Sequence, residues 1–111
     1  MEKGDFKMND ELAVKMLSAL AQPTRFSVFR LLMKFGQEGL PAGSIADELA
    51  VPQNTLSAHL SVLSNAGLIR SRREGRSLIY SVSIDDTRGF LGYLVNDCCN
   101  GHPDICDISV R

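Results

Sequence analysis

The chain has 111 residues, 44% apolar, 23% charged and 6% aromatic, with twelve Lys plus Arg against thirteen Asp plus Glu and a formal net charge of −1. A folded chain of this size buries roughly 65% of its extended surface, enough for one modest core. A single domain over residues 1–111 is therefore expected, and a large enzyme with a multi-domain cleft is disfavoured. No apolar run approaches the roughly 18 to 20 residues that cross a bilayer, and the opening Met1, Glu2, Lys3, Gly4 and Asp5 lack the hydrophobic stretch of a signal peptide. A cytoplasmic protein with no membrane partner is expected.

DELAVKMLSALAQ opens on a polar capping candidate and places Leu12, Met16, Leu17 and Leu20 near one face of a helix over about 10–21. Pro23 suits the first turn of a second helix, with Phe26, Val28, Phe29, Leu31 and Leu32 as its buried face and Gly36 and Gly39 ending it. SIADELAV predicts a short helix over about 44–50 with Ser44 as N-cap. Val51 and Pro52 interrupt it, and NTLSAHLSVLSNAG restores helical spacing through Leu56, Leu60 and Leu63 before Gly67. Two short helices with a tight connection have the shape of a helix-turn-helix.

Leu68 to Arg70 and Leu78 to Ser83 read as the two arms of a β-hairpin around an Arg/Gly tip, with Leu78, Tyr80 and Val82 on one face. A last helix starts near Asp85 or Asp86, whose charges favour the helix dipole, and turns Phe90, Leu91, Leu94 and Val95 toward a partner or the core. Gly101 and Pro103 oppose its continuation to Cys106. The fold class is mainly α with a β-hairpin wing, a winged helix-turn-helix.

The near-zero net charge conceals a division. Residues 24–83 carry seven positive and four negative groups, whereas residues 84–111 carry two and five. The middle therefore offers an anion-binding face and double-stranded DNA as its partner. The second short helix enters a major groove in this reading, with Gln53, Asn54, Thr55, Ser57, Ala58, His59 and Ser61 left to face it once Leu56, Leu60 and Leu63 hold the core. Arg72, Arg73 and Arg76 of the wing are phosphate contacts rather than base readers.

LAQPTRFSVFRLL, SIADELA, PQNTLSAHLSVLSNAGLI and REGRSLIYSV together resemble the ArsR/SmtB family of winged-helix repressors over about residues 11–96. The resemblance implies a homodimer whose first and last helices build the subunit interface, which here assigns Leu12, Met16, Leu20, Phe90, Leu91, Leu94 and Val95 to it. Two reading helices would then address half-sites of an operator roughly 34 to 36 Å apart.

Cys98, Cys99 and Cys106 are the only cysteines and fall within nine residues. Three thiolates suit trivalent arsenic or antimony, which accepts three sulfur bonds in a pyramidal arrangement, and no fourth protein ligand is required. Zinc seeks four ligands, for which His102 is available, and cadmium or lead would also take thiolates. A disulfide from Cys106 to either neighbour in the Cys98–Cys99 pair is a redox alternative. CCNGHPDIC is similar to the C-terminal cysteine signature of one arsenic-responsive branch of the family, which favours the metalloid. The Cys-Val-Cys pattern of better-known arsenic sensors is replaced by Pro41, Ala42 and Gly43, and the His-rich last helix of the zinc-sensing branch is absent.

The function implied is a repressor that trivalent arsenic or antimony releases from DNA, with no catalytic cofactor. An enzyme would need a reactive thiolate with a resolving group, and the chain has no Cys-x-x-Cys motif. A protein-interaction module is the remaining class.

Overall fold

A computed structural model describes residues 8–97. Asn9 opens the first helix, its Oδ1 accepting the Leu12 N–H at 2.8 Å and so satisfying one of the unpaired donors of a helix start. This helix, α1, spans Asp10–Leu20. Gln22 does the same for α2, Pro23–Phe35, through a 2.9 Å bond from the Arg25 N–H to Oε1. A 3₁₀ turn, Gly36–Glu38, leads into β1, Leu40–Pro41, then α3, Ala42–Leu49, and α4, Gln53–Asn65. β2, Ile69–Glu74, and β3, Ser77–Val82, form the hairpin, followed by α5, Ile84–Gly92, and a π-helical turn over Tyr93–Asp97.

The fold is mainly α with a β-hairpin, a winged helix-turn-helix, as the pattern predicts. Four local expectations are corrected. First, the sheet has a third strand: β1 pairs antiparallel with β3, Leu40 opposite Tyr80, to give the order β1-β3-β2. A two-residue strand has no periodicity of its own, so only its partner reveals it. Second, β2 extends to Glu74 and β3 begins at Ser77, leaving Gly75 and Arg76 as a two-residue turn. Gly75 has φ +64, the left-handed conformation that a primed hairpin turn requires of its first central residue. Third, α3 begins at Ala42, which places Ser44 inside the helix rather than at its cap. Fourth, Phe26 and Leu78 stay exposed, while Ile79 and Ser81 on the opposite face of β3 are buried.

Met16, Leu32, Ile45, Leu56, Leu63 and Leu68 are almost wholly excluded from solvent and join Val82 and Phe90 in one core. Each such side chain contributes roughly 1.5–3 kcal/mol on burial. The core therefore draws on every helix and on the base of the hairpin, which fixes α4 and the wing in one frame. Among the described residues, no helix is long and apolar enough to cross a membrane.

Candidate nucleic-acid interface

α3 and α4 are joined by Ala50, Val51 and Pro52. Ala50 takes the left-handed conformation at φ 56, and the Val51 N–H then reaches the Ala46 carbonyl at 3.0 Å. That bond closes the end of α3 and turns the chain sharply into α4. Leu56, Leu60 and Leu63 lie in the core. On the opposite side, Asn54, Ser57, Ala58 and Ser61 are exposed at helical spacing, with Gln53 and Thr55 exposed in the first turn. No Asp, Glu, Lys or Arg occurs in α4. The face is thus polar, uncharged and small, suited to approach a groove closely but supplying no phosphate-neutralising charge.

His59 stands apart from this face. It is half-buried, and its Nδ1 lies 3.3 Å from Nη1 of Arg25 on α2. The Arg25 Nε also donates to the Ala19 carbonyl at the end of α1, at 2.7 Å. Sequence reasoning missed Arg25, because residues 34 positions apart show no shared periodicity.

Positive charge comes from the wing, and its arginines differ in what holds them. Arg72 donates from Nη1 to the Gln37 carbonyl at 3.1 Å and from Nη2 to the Glu38 carbonyl at 2.9 Å, and its Nε pairs with Glu74 at 2.8 Å. Its guanidinium is thus engaged within the chain at all three nitrogens, at a position the sequence assigns to a phosphate contact. Arg70, not singled out from the sequence, donates to Ser83 Oγ at 3.4 Å. Arg73 and Arg76 are exposed and have no hydrogen bond or ion pair among the described residues.

The terminal helices divide in the same way. Met16 and Phe90 belong to the chain's own core, so their side chains are not surface groups. Leu12, Leu20 and Leu94 are half-buried and pack against that core, and Val95 is half-buried too. Leu91 is 47% exposed, as are Val14 at 63% and Leu17 at 45% on α1. Tyr93 donates its hydroxyl proton to the Asp10 carboxylate, tying the end of the last helix to the start of the first.

Cys98, Cys99, His102 and Cys106 lie outside the described residues. Among the described residues, no three His, Cys, Asp or Glu side chains gather as metal ligands would.

A helix-turn-helix with a paired wing, an uncharged polar outer face on the second helix and free arginines at the hairpin tip defines a winged-helix DNA-binding protein. The helix-turn-helix domain family matches residues 20–72. The helix-turn-helix-type transcriptional regulator MJ1325 of Methanocaldococcus jannaschii is 37% identical over 76 residues, 68% of this chain and 82% of that one. Among solved structures, HlyU from Vibrio cholerae is 26% identical with a TM-score of 0.66, over 85% of this chain and 99% of that chain. The homodimeric winged helix-turn-helix DNA-binding domain Mb0332 from Mycobacterium bovis is 26% identical with a TM-score of 0.64, over 90% and 94% of the two chains. The chain belongs to the helix-turn-helix transcriptional regulators, and its fold is related to the ArsR/SmtB–HlyU superfamily. By name these relatives are an uncharacterized transcriptional regulator, a transcriptional activator and a DNA-binding domain.

Proposed function

We propose that this regulator is a cytoplasmic homodimeric repressor that occupies a two-fold operator and is released by trivalent arsenic or antimony bound to Cys98, Cys99 and Cys106. The observation that carries the DNA reading is the division of labour between α4 and the hairpin. The exposed Gln53, Asn54, Thr55, Ser57, Ala58 and Ser61 offer donors, acceptors and two methyl groups to base edges, while Arg73 and Arg76 are free of partners among the described residues and available for phosphate. The homodimer is supported by Val14, Leu17 and Leu91, large apolar groups left exposed on the terminal helices, and by the homodimeric state of the Mb0332 domain. Burying them against a second copy gives the second reading helix that a palindromic operator requires.

The inducer reading rests on the sequence. Three thiols within nine residues follow directly on the last helix, where a bound ion would act on the same element that Tyr93 ties to α1. Release follows only if the dimer state that binds DNA holds the metalloid more weakly than the state that does not. A duplex selected from a random pool, bound to the protein at constant salt, is titrated with arsenite, trivalent antimony, zinc, cadmium and lead. Release by the metalloids, lost in Cys98→Ser, Cys99→Ser and Cys106→Ser, is expected. Full response by all three variants would sink the site, and a zinc response lost in His102→Ala would assign it to zinc instead.

A further inference from the structure

The contact between Arg25 and His59 determines which hydrogen-bonding group the reading helix presents at its edge. Arginine nitrogens are donors only. In a hydrogen bond across the 3.3 Å between Arg25 Nη1 and His59 Nδ1, Nδ1 is therefore the acceptor and the ring proton sits on Nε2. Arg25 is itself held from two sides: its Nε donates to the Ala19 carbonyl at 2.7 Å and its backbone N–H to Gln22 Oε1 at 2.9 Å. The donor side of the contact is thus pinned by α1 and by the start of α2. Among the described residues, no hydrogen bond engages Nε2 of the half-buried His59. His59 follows the exposed Thr55 by one helical turn on the same edge of α4.

We infer that Arg25 is a positioning residue that locks His59 as an Nε2–H donor at the edge of the reading helix, where it bonds an acceptor atom of the operator. The inference rests on the DNA reading given above and adds to it a fixed polarity. A histidine free to exchange tautomers can donate or accept; this one only donates. Two kinds of acceptor fit that chemistry. A phosphate oxygen strengthens binding to every sequence, whereas guanine N7 and O6 in the major groove would be selected over cytosine, which presents an amino donor there.

Long-range nitrogen-proton NMR of the full-length protein at about pH 8, where unperturbed imidazoles are neutral, reads the tautomer without DNA. Nε2 of His59 protonated in the wild type, with a mixed tautomer in Arg25→Gln, is expected. A proton on Nδ1 in the wild type overturns the inference whatever the variants do. In parallel, wild type, Arg25→Gln and His59→Asn are each used to select duplexes from one random pool, and affinity is measured against salt. His59→Asn is expected to weaken binding about tenfold. If it relaxes one base pair in each half-site, the acceptor is a base; if it leaves the selected sequence unchanged but reduces the salt slope by about one, the acceptor is a phosphate. Unchanged affinity and unchanged selection by both variants overturn the inference. A wild type that enriches no sequence at all, with its tautomer still on Nε2, removes the DNA reading instead.

Discussion

Arg72 Nη2 donates to the Glu38 carbonyl at 2.9 Å, across 34 positions of sequence, so a wing arginine closes onto the turn that ends α2. With the companion bond to the Gln37 carbonyl, this guanidinium fixes where the hairpin leaves the body of the protein. The same contact separates Arg72, which shapes the wing, from Arg73 and Arg76, which have no partner among the described residues. Their substitutions therefore differ in kind.

Arg72→Ala is expected to lower stability by about 1–2 kcal/mol, since carbonyls that accept from a charged donor lose it and must be rehydrated. Arg73→Ala and Arg76→Ala should leave the unfolding free energy within about 0.5 kcal/mol of wild type. Each should instead reduce the slope of DNA affinity against salt by about one. Urea unfolding and salt-dependent fluorescence anisotropy, run on the three variants together, check both halves. Equal salt slopes for all three would mean that Arg72 leaves its carbonyls to reach phosphate.

Gly39 precedes β1, with φ +67. A Cβ there would stand 2.3 Å from the Tyr80 carbonyl oxygen, against backbone that cannot give way. Gly39→Ala should cost more than about 2 kcal/mol and loosen the pairing of β1 with β3. Gly75→Ala at the hairpin tip meets nothing within 4 Å and should cost only the roughly 1–2 kcal/mol of a left-handed non-glycine residue. Thermal unfolding of the pair tests whether steric contact or backbone conformation dominates at Gly39.

Ala50 carries the reverse situation, a side chain in the left-handed turn between the two helices of the DNA-binding motif. Ala50→Gly should stabilise the protein by about 0.5 kcal/mol, because relief of the left-handed strain outweighs the added freedom of the unfolded chain. A lower unfolding midpoint in this variant would mean that the added freedom of the unfolded chain outweighs the relieved strain.

Residues of α1 provide the test of assembly. Met16→Ala should destabilise each subunit by about 2–4 kcal/mol, since its side chain lies wholly in the core. Val14→Ser and Leu17→Ser, at positions 63% and 45% exposed, should leave the fold intact and raise the dimer dissociation constant by tenfold or more, roughly 1.4 kcal/mol. Sedimentation equilibrium over a range of concentrations separates the two effects. A monomer at all concentrations in the wild type would remove the homodimer.

Much of this architecture is visible in the chain alone because it is written in local periodicity. Leu56, Leu60 and Leu63 recur at helical spacing and are the core face of α4, and Pro23 and Pro52 stand where helices begin. The polar outer face of α4 follows as the complement of that core. Less was legible for the wing. The arginine cluster announced a hairpin, but neither its length nor the burial of Ile79 and Ser81 could be read, because register and burial are set by what the strands pair with and pack against.

Periodicity and punctuation in the sequence determined the helices, the hairpin, the helix-turn-helix and the polar set on α4. It placed the three thiols after the last helix as well. Only the tertiary structure decided which members of a chemically uniform group are available. Arg72 is held by carbonyls while Arg73 and Arg76 are free. Met16 is in the core while Val14 and Leu17, a step away on the same helix, are not. His59 is joined to Arg25. Local spacing assigns a residue to a face of its own element, but the partner that covers or binds that face comes from 30 or more positions away, and its approach is fixed by packing of the whole core.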